Sequence, residues 1–348
     1  MLLVFGIAIM IWGLGRVLRW PGSMIWALIA LLWLAVFALH LILPEGHGLR
    51  RATGESPVLW GMVGAGAVVI ALYARGLKWL KARAQVPPVQ QVTPTTGSFS
   101  EGEIERYARH IVLRELGGPG QKKLKTSKVL VIGAGGLGSP VMLYLAAAGV
   151  GTIGMVDDDT VDASNLQRQV IHRQEGVGSP KVQSAMEAMR GLNPFVVLHP
   201  YQRRLSAEIA RDLFAEYDVI IDGTDNSETR YLVNEAAVAN GKPLLSGAIS
   251  QWEGQLSVFD PAAGGPCYQC VFPEAVADGL APSCAEAGVV GPLPGVIGTM
   301  MALEAIKLIA GAGHVLLGEM LIYDGLWGES RKITMKRRAD CPICGGVD

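Results

Sequence analysis

Four closely spaced glycines, Gly133, Gly135, Gly136 and Gly138, have the type and spacing of a phosphate-binding turn. Glycines let backbone N–H groups approach a phosphate closely, at the positive end of the helix that follows them. Asp157 lies about 20 residues further along, where a carboxylate can hold the hydroxyl groups of a ribose. The pattern predicts a nucleotide site, and an NAD-dependent oxidoreductase would show the same pattern.

Cysteines are the second group of residues that could do chemistry. Four of the five form two Cys-x-x-Cys pairs, Cys267 with Cys270 and Cys341 with Cys344. Two such pairs supply the four thiolates of a closed tetrahedral Zn²⁺ site, which is structural because it leaves no open position for a substrate. This usage favours a metal in a reducing compartment over disulfides, and unrelated redox or buried cysteines are the alternative. The fifth, Cys284, lies in a Gly- and Ala-containing stretch that we expect to be a mobile loop.

Strands and helices alternate around these residues. The predicted strands are Val129–Ile132, Thr152–Val156, Val219–Asp222, Leu244–Ser246, Leu256–Phe259 and Met320–Tyr323, and the predicted helices are Glu101–Leu116, Ser139–Val150 and Pro294–Ala310. Ser100 and Glu103 have the spacing of a capping box at the start of the first helix. The alternation predicts an α/β fold with a Rossmann-like, mostly parallel sheet.

Composition points to a second kind of segment at the N-terminus. The formal net charge of −1 gives no reason to expect binding to nucleic acid, whereas apolar residues make up 50% of the chain. Their excess lies almost wholly in the first 80 residues, in apolar runs at residues 2–15, 24–43 and 58–74. The second run has about the 20 residues that cross a bilayer. We therefore predict two or three transmembrane helices, with a buried hydrophobic hairpin of a soluble domain as the alternative.

Basic residues predict the orientation of these helices. Arg75, Lys78, Lys81 and Arg83 follow the last apolar run, whereas the loop between the second and third runs has only Arg50 and Arg51, and cytoplasmic loops carry the excess of Lys and Arg. Residues 84–100 are poor in charge and rich in Pro, Gln and Thr, as in an extended linker. We expect a multi-pass anchor in the cell inner membrane at residues 1–83, a linker at 84–100 and a cytoplasmic domain at 101–348.

From about Arg106 to Gly345 the chain resembles the E1-like adenylating enzymes of the ThiF, MoeB and HesA type, which activate small ubiquitin-fold sulfur carriers. The resemblance rests on Arg-Tyr-x-Arg-His, Gly-x-Gly-Gly-Leu-Gly, Ser-Asn-Leu-Gln-Arg-Gln, Thr-Asp-Asn and both cysteine pairs. It covers none of residues 1–100. It implies that ATP and Mg²⁺ are used to adenylate the C-terminal glycine of a carrier of the molybdopterin-synthase or thiamine type.

The resemblance also implies roles for individual residues. Arg168 and Lys181 would neutralise the phosphates, Asp225 would bind Mg²⁺, and Arg109 would reach the site of the neighbouring subunit in a homodimer. The implied nucleotide-binding residues are Gly133, Gly135, Gly136, Gly138, Asp157, Ser164, Asn165, Leu166, Gln167, Arg168, Lys181, Asp225 and Asn226. Because the carrier's carboxylate is already ionised at neutral pH, the reaction needs positioning and charge neutralisation rather than a general base.

Several alternatives stay open at this point. Arg168 and Lys181 could be ordinary surface cations, Asp225 could be a turn residue before a helix, and Arg109 could pair with an acidic residue of its own helix. Cys284 could attack the acyl-adenylate or be passive. The rival functions are an NAD-dependent oxidoreductase, the tRNA-modifying branch of the same superfamily, and a membrane scaffold without turnover.

The end of the chain bears on the source of sulfur. The sequence ends at Asp348 without the C-terminal rhodanese domain of some relatives. We therefore expect the sulfur to come from a separate protein, a cysteine desulfurase or a rhodanese.

Overall fold

The computed structural model describes residues 2–54, 56–84, 98–274 and 288–346. The chain divides into two compact units, Met1–Pro88 and Val89–Asp348. The predicted linker at 84–100 spans this division, although most of it lies outside the described residues, as does Cys284.

The first unit consists of helices. They are α1 (Leu2–Val17), α2 (Gly22–Ile42), α3 (Gly48–Thr53) and α4 (Pro57–Ala84). The first and third predicted runs fall within α1 and α4, and the second overlaps α2, which ends one residue earlier, at Ile42. By length and composition, all of α2 and residues Pro57–Trp79 of α4 could cross a membrane, whereas α1 is shorter.

Helices α2 and α4 pack through an indole ring. The Trp33 Nε1–H donates to the carbonyl of Trp60 at 3.0 Å. A Cβ atom on Gly64 would lie 2.1 Å from the Trp33 ring, so only glycine permits this approach. The outer surface stays apolar, and Ile9, Ile42 and Ile70 are each at least 70% exposed.

The second unit is built on one eight-stranded sheet. Its strands are β1 (Lys128–Ile132), β2 (Thr152–Val156), β3 (Val197–Tyr201), β4 (Val219–Asp222), β5 (Leu244–Ile249), β6 (Glu253–Phe259), β7 (Glu319–Asp324) and β8 (Glu329–Thr334). Its helices include α5 (Glu101–Ile111), α6 (Gly117–Thr126), α7 (Gly138–Ala148), α8 (Lys181–Leu192), α9 (Ala207–Ala215), α10 (Ser227–Ala239), α11 (Tyr268–Val271) and α12 (Pro292–Ala310). The strand order is β3-β2-β1-β4-β5-β6-β7-β8, parallel through β5 and antiparallel beyond it.

Helices cover both faces of this sheet. Helices α7, α8 and α12 pack with Val129, Val131 and Ile221 on one face, and α9 and α10 pack with Leu130 and Ile220 on the other. Helix α12 is also long and apolar enough to cross a membrane, yet half of its residues are buried inside the unit. Burial on both faces explains why the inner strands are continuous apolar runs.

The predicted elements agree with the fold in type and place, although several of their ends differ from the observed bounds. Strands β2 and β4 have the predicted bounds, and Ser100 and Glu103 form the capping box. The first helix of this unit ends at Ile111 rather than Leu116. The chain turns there because the Gly117 N–H bonds to the carbonyl of Leu113 at 2.8 Å, and Gly117 adopts a φ of +61° that favours glycine.

Candidate active site

A cavity of about 630 Å³ opens where the parallel strands end. Gly133 follows β1, Asp157 follows β2 and Thr224 follows β4, and all three line the cavity. The strand order reverses between β1 and β4, since β2 and β3 lie on one side of β1 and β4 on the other. Ligands of open α/β sheets bind at such a switch point, so the cavity has the position and size of a nucleotide site.

The glycine-rich turn forms the floor of this cavity. Gly133 has a φ of +95°, which L side chains rarely adopt. A Cβ atom on Gly138 would lie 1.9 Å from the carbonyl oxygen of Gly133, so the turn closes only with glycine there. Gly133, Gly135 and Gly136 line the cavity, whereas Gly138 begins α7 and is buried.

Asp157 fixes the glycine-rich turn through hydrogen bonds to its carboxylate. One carboxylate oxygen accepts the Ala134 N–H at 2.7 Å and the other accepts the Asp159 N–H at 2.9 Å. Burial raises the pKa of Asp157, while these N–H groups and the Lys181 ammonium oppose that change. Each oxygen keeps a further acceptor position that a ribose hydroxyl could use.

One helical turn orients the motif residues. Asn165, Arg168 and Gln169 stand at spacings of three and four, and the Asn165 side-chain oxygen accepts from Arg168 at 2.8 Å and from Gln169 at 3.3 Å. Arg168 and Gln169 line the cavity. The family motif predicts Gln167 rather than Gln169 as a nucleotide-binding residue, and the helical spacing from Asn165 is the signal that identifies the second glutamine.

Lys181 lies at the N-terminus of α8 and is 6% exposed. Its Nζ bonds to a carboxylate oxygen of Asp159 at 2.7 Å, and both side chains line the cavity. A buried ammonium at a cavity wall differs from an ordinary surface cation, because a partly buried charge is screened much less by solvent.

The loop after β4 presents Asp225 to the cavity. Asp225 and Asn226 are exposed there, and the Asn226 side chain caps α10 by accepting the Thr229 N–H at 2.8 Å. Hydrogen bonds from Arg230 hold this loop in place, and sequence reasoning missed this residue. The Arg230 guanidinium donates to the carbonyls of Thr224 and Gly247.

Other residues named from the sequence lie outside the lining of this cavity. They are Gly138, Ser164, Asn165, Leu166, Gln167 and Arg109. Ser164 donates twice to Asp162, at 2.6 and 2.7 Å. Arg109 is exposed on α5 and makes no ion pair within the part of the chain that the structure describes, and Glu103 of the same helix pairs with Lys125.

One orphaned atom tests whether a nucleotide fits. The side-chain oxygen of Gln169 is buried and has no hydrogen-bond partner among the described residues, although Gln169 lines the cavity. A buried acceptor without a donor is costly, and a nucleotide carries hydroxyl and amino donors. The residues present therefore fit ATP.

The four paired cysteines converge outside the lining of the cavity. The sulfur atoms lie 3.8 Å apart for Cys267 and Cys270, 3.6 Å for Cys267 and Cys341, and 3.4 Å for Cys270 and Cys344. Four Zn–S bonds of about 2.3 Å at tetrahedral angles place sulfurs about 3.8 Å apart, so the cluster fits Zn²⁺. Burial raises the pKa of Cys267. Burial is also the largest single influence on Cys341, but hydrogen bonds from backbone N–H groups and from the Cys267 and Cys270 side chains together outweigh it and lower the pKa of Cys341 to about 7.

Comparison with known proteins places this site in a family. Residues 107–343 match the ThiF family. The chain belongs to the ThiF family. The match contains the glycine-rich turn, the cavity cations and three of the four paired cysteines, since it ends one residue before Cys344, and it begins after the apolar N-terminal unit.

Curated relatives are similar over the same part of the chain. The sulfur carrier protein adenylyltransferase of Thermus thermophilus is 48% identical over 71% of this chain and 93% of its own length. The probable adenylyltransferase/sulfurtransferase MoeZ of Mycobacterium tuberculosis is 50% identical over 74% of this chain and 66% of its own. The chain thus spans just under two thirds of MoeZ and nearly all of the Thermus protein.

A solved structure has the same fold. The crystal structure of E. coli MccB with ATP matches with a TM-score of 0.59 and 19% identity, over 72% of this chain and 83% of that one. The sheet is therefore of the E1-like type, as predicted. None of these matches supports an NAD-dependent oxidoreductase or an inactive scaffold.

Proposed function

We propose that this protein adenylates the C-terminal glycine of a small ubiquitin-like sulfur-carrier protein, which prepares the carrier for thiocarboxylate formation. The observation that carries this proposal is the convergence of Arg168, Lys181 and Asp225 on one nucleotide-sized cavity at the switch point of the sheet. The names of the relatives support the class of substrate. Hydride transfer would not need cations and a carboxylate arranged for a triphosphate and Mg²⁺.

The reaction joins the carrier's carboxylate to the α-phosphorus of ATP. A carboxylate oxygen forms the new P–O bond while the bond from the α-phosphorus to the bridging oxygen breaks, and pyrophosphate leaves. Arg168 and Lys181 neutralise the charge that spreads over the phosphates. Asp157 holds the ribose, and the glycine-rich turn holds the phosphates close to the cations. The chain's contribution is to bring two anions together and keep them aligned.

We infer that Asp225 holds Mg²⁺, since it follows β4 and its carboxylate is exposed at the cavity. Mg²⁺ held there would reduce the negative charge of the phosphates, and carboxylates are its usual protein ligands. Zn²⁺ has a separate and structural role at the four cysteines. It would fix the end of the chain, from Cys341 to Cys344, to the segment that begins at Cys267.

The direct test is ATP–pyrophosphate exchange by the full chain in detergent, with each Gly-Gly-ending carrier of the source organism. We expect exchange with one carrier, and its loss in Asp225→Ala with fold and zinc content intact. Asp212→Ala is the matched control, because Asp212 is exposed on α9 and lies outside the cavity. Unchanged exchange in Asp225→Ala would refute the metal role of Asp225. The absence of exchange with every carrier tested would refute the proposed substrate.

We infer further that the protein works as a homodimer in which Arg109 completes the neighbouring site. Its exposure and lack of an ion pair within the described ranges leave the guanidinium available. Mixing Arg109→Ala with Asp225→Ala chains in equal amounts should restore about a quarter of wild-type exchange, since half of the dimers are mixed and each has one intact site. Inactive mixtures that contain mixed dimers would refute the shared site.

We propose that residues 1–83 anchor the catalytic domain at the cytoplasmic face of the inner membrane. The support is the exposed apolar surface of α1, α2 and α4, because soluble proteins rarely expose a contiguous apolar area of this extent to water. We expect the protein to stay in the membrane fraction after a high-salt wash and deletion of residues 1–83 to release it. Recovery of the intact chain in the soluble fraction would refute the anchor. Sulfur for the activated carrier would come from a separate desulfurase or rhodanese.

A further inference from the structure

A buried histidine, His172, lies behind the glycine-rich turn and outside the cavity lining. It is 6% exposed. One ring nitrogen, Nε2, lies 2.9 Å from the carbonyl oxygen of Ala134, and the other, Nδ1, lies 3.0 Å from the hydroxyl of Ser184 on α8. His172 therefore joins the turn to the helix whose first residue is Lys181.

The hydrogen bonds assign the form of the ring. A carbonyl oxygen only accepts, so Nε2 carries the proton and donates to Ala134, and Nδ1 accepts from the hydroxyl of Ser184. Burial, helped by the nearby Lys181 ammonium, lowers the pKa of His172, while Asp157 and the Ala134 carbonyl oppose that change. The ring is consequently neutral at pH 7, with one donor and one acceptor, and each has a partner.

The geometry of the peptide unit turns this contact into a constraint on the cavity. The carbonyl of Ala134 and the N–H of Gly135 belong to one planar trans peptide and point in opposite directions. His172 holds the carbonyl, so the Gly135 N–H faces away from His172, and Gly135 lines the cavity. Without the hydrogen bond from His172 the Ala134–Gly135 peptide could rotate, because the φ angle of Gly135 is not restricted by a side chain.

A second path connects the same turn to the same helix. The Ala134 N–H donates to Asp157, the Asp159 N–H donates to the other oxygen of Asp157, and Lys181 pairs with Asp159. With His172 and Ser184 these contacts form a closed ring of hydrogen bonds around Ala134 and the first turn of α8. The Ala134 N–H is thus held by Asp157, which lines the cavity, and the Ala134 carbonyl is held by His172, which lies outside the lining.

We propose that His172 is a positioning residue for the phosphates, which acts by fixing the Ala134–Gly135 peptide so that the Gly135 N–H serves as a phosphate donor. This inference rests on the proposed function only in taking ATP as the ligand of the cavity. His172 contacts neither the cavity nor the reacting atoms, so its effect is transmitted through Gly135 and, by way of Ser184, through α8.

Two substitutions separate the contacts. Glutamine places its amide N–H near the position of Nε2 and retains the donor to Ala134, whereas asparagine reaches only as far as Nδ1 and loses it. We expect His172→Asn to weaken ATP binding by about tenfold and His172→Gln by less than about threefold. Adenosine binding should change by less than about twofold in both, because adenosine has no phosphate.

The assay is isothermal titration of the full chain in detergent with ATP and with adenosine. Equal losses for ATP and adenosine would show a general structural role and overturn the proposal. So would equal losses in the Asn and Gln variants, or unchanged ATP affinity in His172→Asn.

If His172→Asn does not fold, Ser184→Ala provides the test. It should weaken ATP binding by about threefold, since Nδ1 loses its donor and the ring can take the other tautomer. Ser179→Ala is the matched control, because the Ser179 hydroxyl bonds to the Gly176 carbonyl outside the ring. Equal effects of the two serine variants on ATP binding would overturn the proposal.

The outcome for the wild-type protein keeps the two proposals apart. Wild-type protein that binds ATP without exchange would refute the carrier function and leave the binding comparison decisive for His172. Wild-type protein that binds no ATP would refute both proposals.

Discussion

Replacing Arg230 with methionine should destabilise the α/β unit by about 3 kcal/mol. The Arg230 side chain lies 3.3 Å from the carboxylate of Asp222, and the two side chains are 10% and 1% exposed. Arg230 also donates to Ser246 at 3.1 Å and to the Gly247 carbonyl at 2.8 Å. Methionine fills much of the volume but leaves Asp222 as a buried charge without a cation.

The magnitude follows from what remains around Asp222. Removing one partner of a buried ion pair typically destabilises a protein by about 3–5 kcal/mol. Asp222 would still accept from the Thr224 N–H at 3.0 Å, from the Thr224 hydroxyl at 2.6 Å and from Ser246 at 3.0 Å. These three hydrogen bonds stabilise the carboxylate and place the expected loss at the lower end, about 3 kcal/mol.

Urea unfolding of the full chain in detergent, followed by the protease resistance of the α/β unit, measures this loss. With a slope of about 2–3 kcal/mol per molar, the midpoint should fall by about 1–1.5 M. Arg204→Ala is the matched control, because Arg204 and Glu228 form an ion pair with side chains 70% and 83% exposed. It should change stability by less than about 1 kcal/mol. Equal and small shifts in both variants would refute the reasoning.

Three further predictions concern the metal cluster, the first helix of the α/β unit and the fifth cysteine. Cys344→Ser should lower zinc content to below about half of one ion per chain by mass spectrometry, and full retention would contradict a four-cysteine site. Burial opposes ionisation of Glu103, but hydrogen bonds from Lys125 and Ser100 outweigh it and lower its pKa below the ordinary 4.5. The ionised Glu103 side chain therefore stabilises the α/β unit above about pH 4.5, and this stabilisation is lost as the pH falls through the lowered pKa. In Glu103→Gln the urea midpoint should fall less steeply over that pH range than in the wild type. Identical pH profiles of the two midpoints would contradict this. Cys284→Ser should keep ATP–pyrophosphate exchange within about twofold, and loss of exchange in folded protein would assign Cys284 to adenylation.

Local patterns in the sequence were enough for the inner part of the sheet. Strands β2 and β4 are short apolar runs bounded by turn residues, and their bounds were predicted correctly because strands buried on both faces must be apolar throughout. The capping box and the glycine-rich turn are equally local, since their residues lie within a few positions of one another. The family could likewise be recognised from the order and spacing of its motifs.

The edges of the sheet could not be predicted in the same way. Strand β3 contains Pro200, which argues against a strand except at an edge, and all six residues of β8 are exposed. Neither strand was predicted, because an edge strand takes its structure from pairing with its neighbour rather than from an apolar pattern. The antiparallel pairing of β6, β7 and β8 is a property of distant segments, so it became visible only in the folded chain.

The residues of the site also differ in whether their partners are close or distant in the sequence. The cavity residues Arg168, Lys181 and Asp225 stand in recognisable motifs. Arg230 and His172 do not, because the partners of Arg230 lie up to 17 residues away and the carbonyl that His172 holds is 38 residues away. The sequence motifs therefore predicted groups that line the cavity. Only folding, which brings distant strand ends and α8 to one edge, decides which buried side chains hold those groups in place.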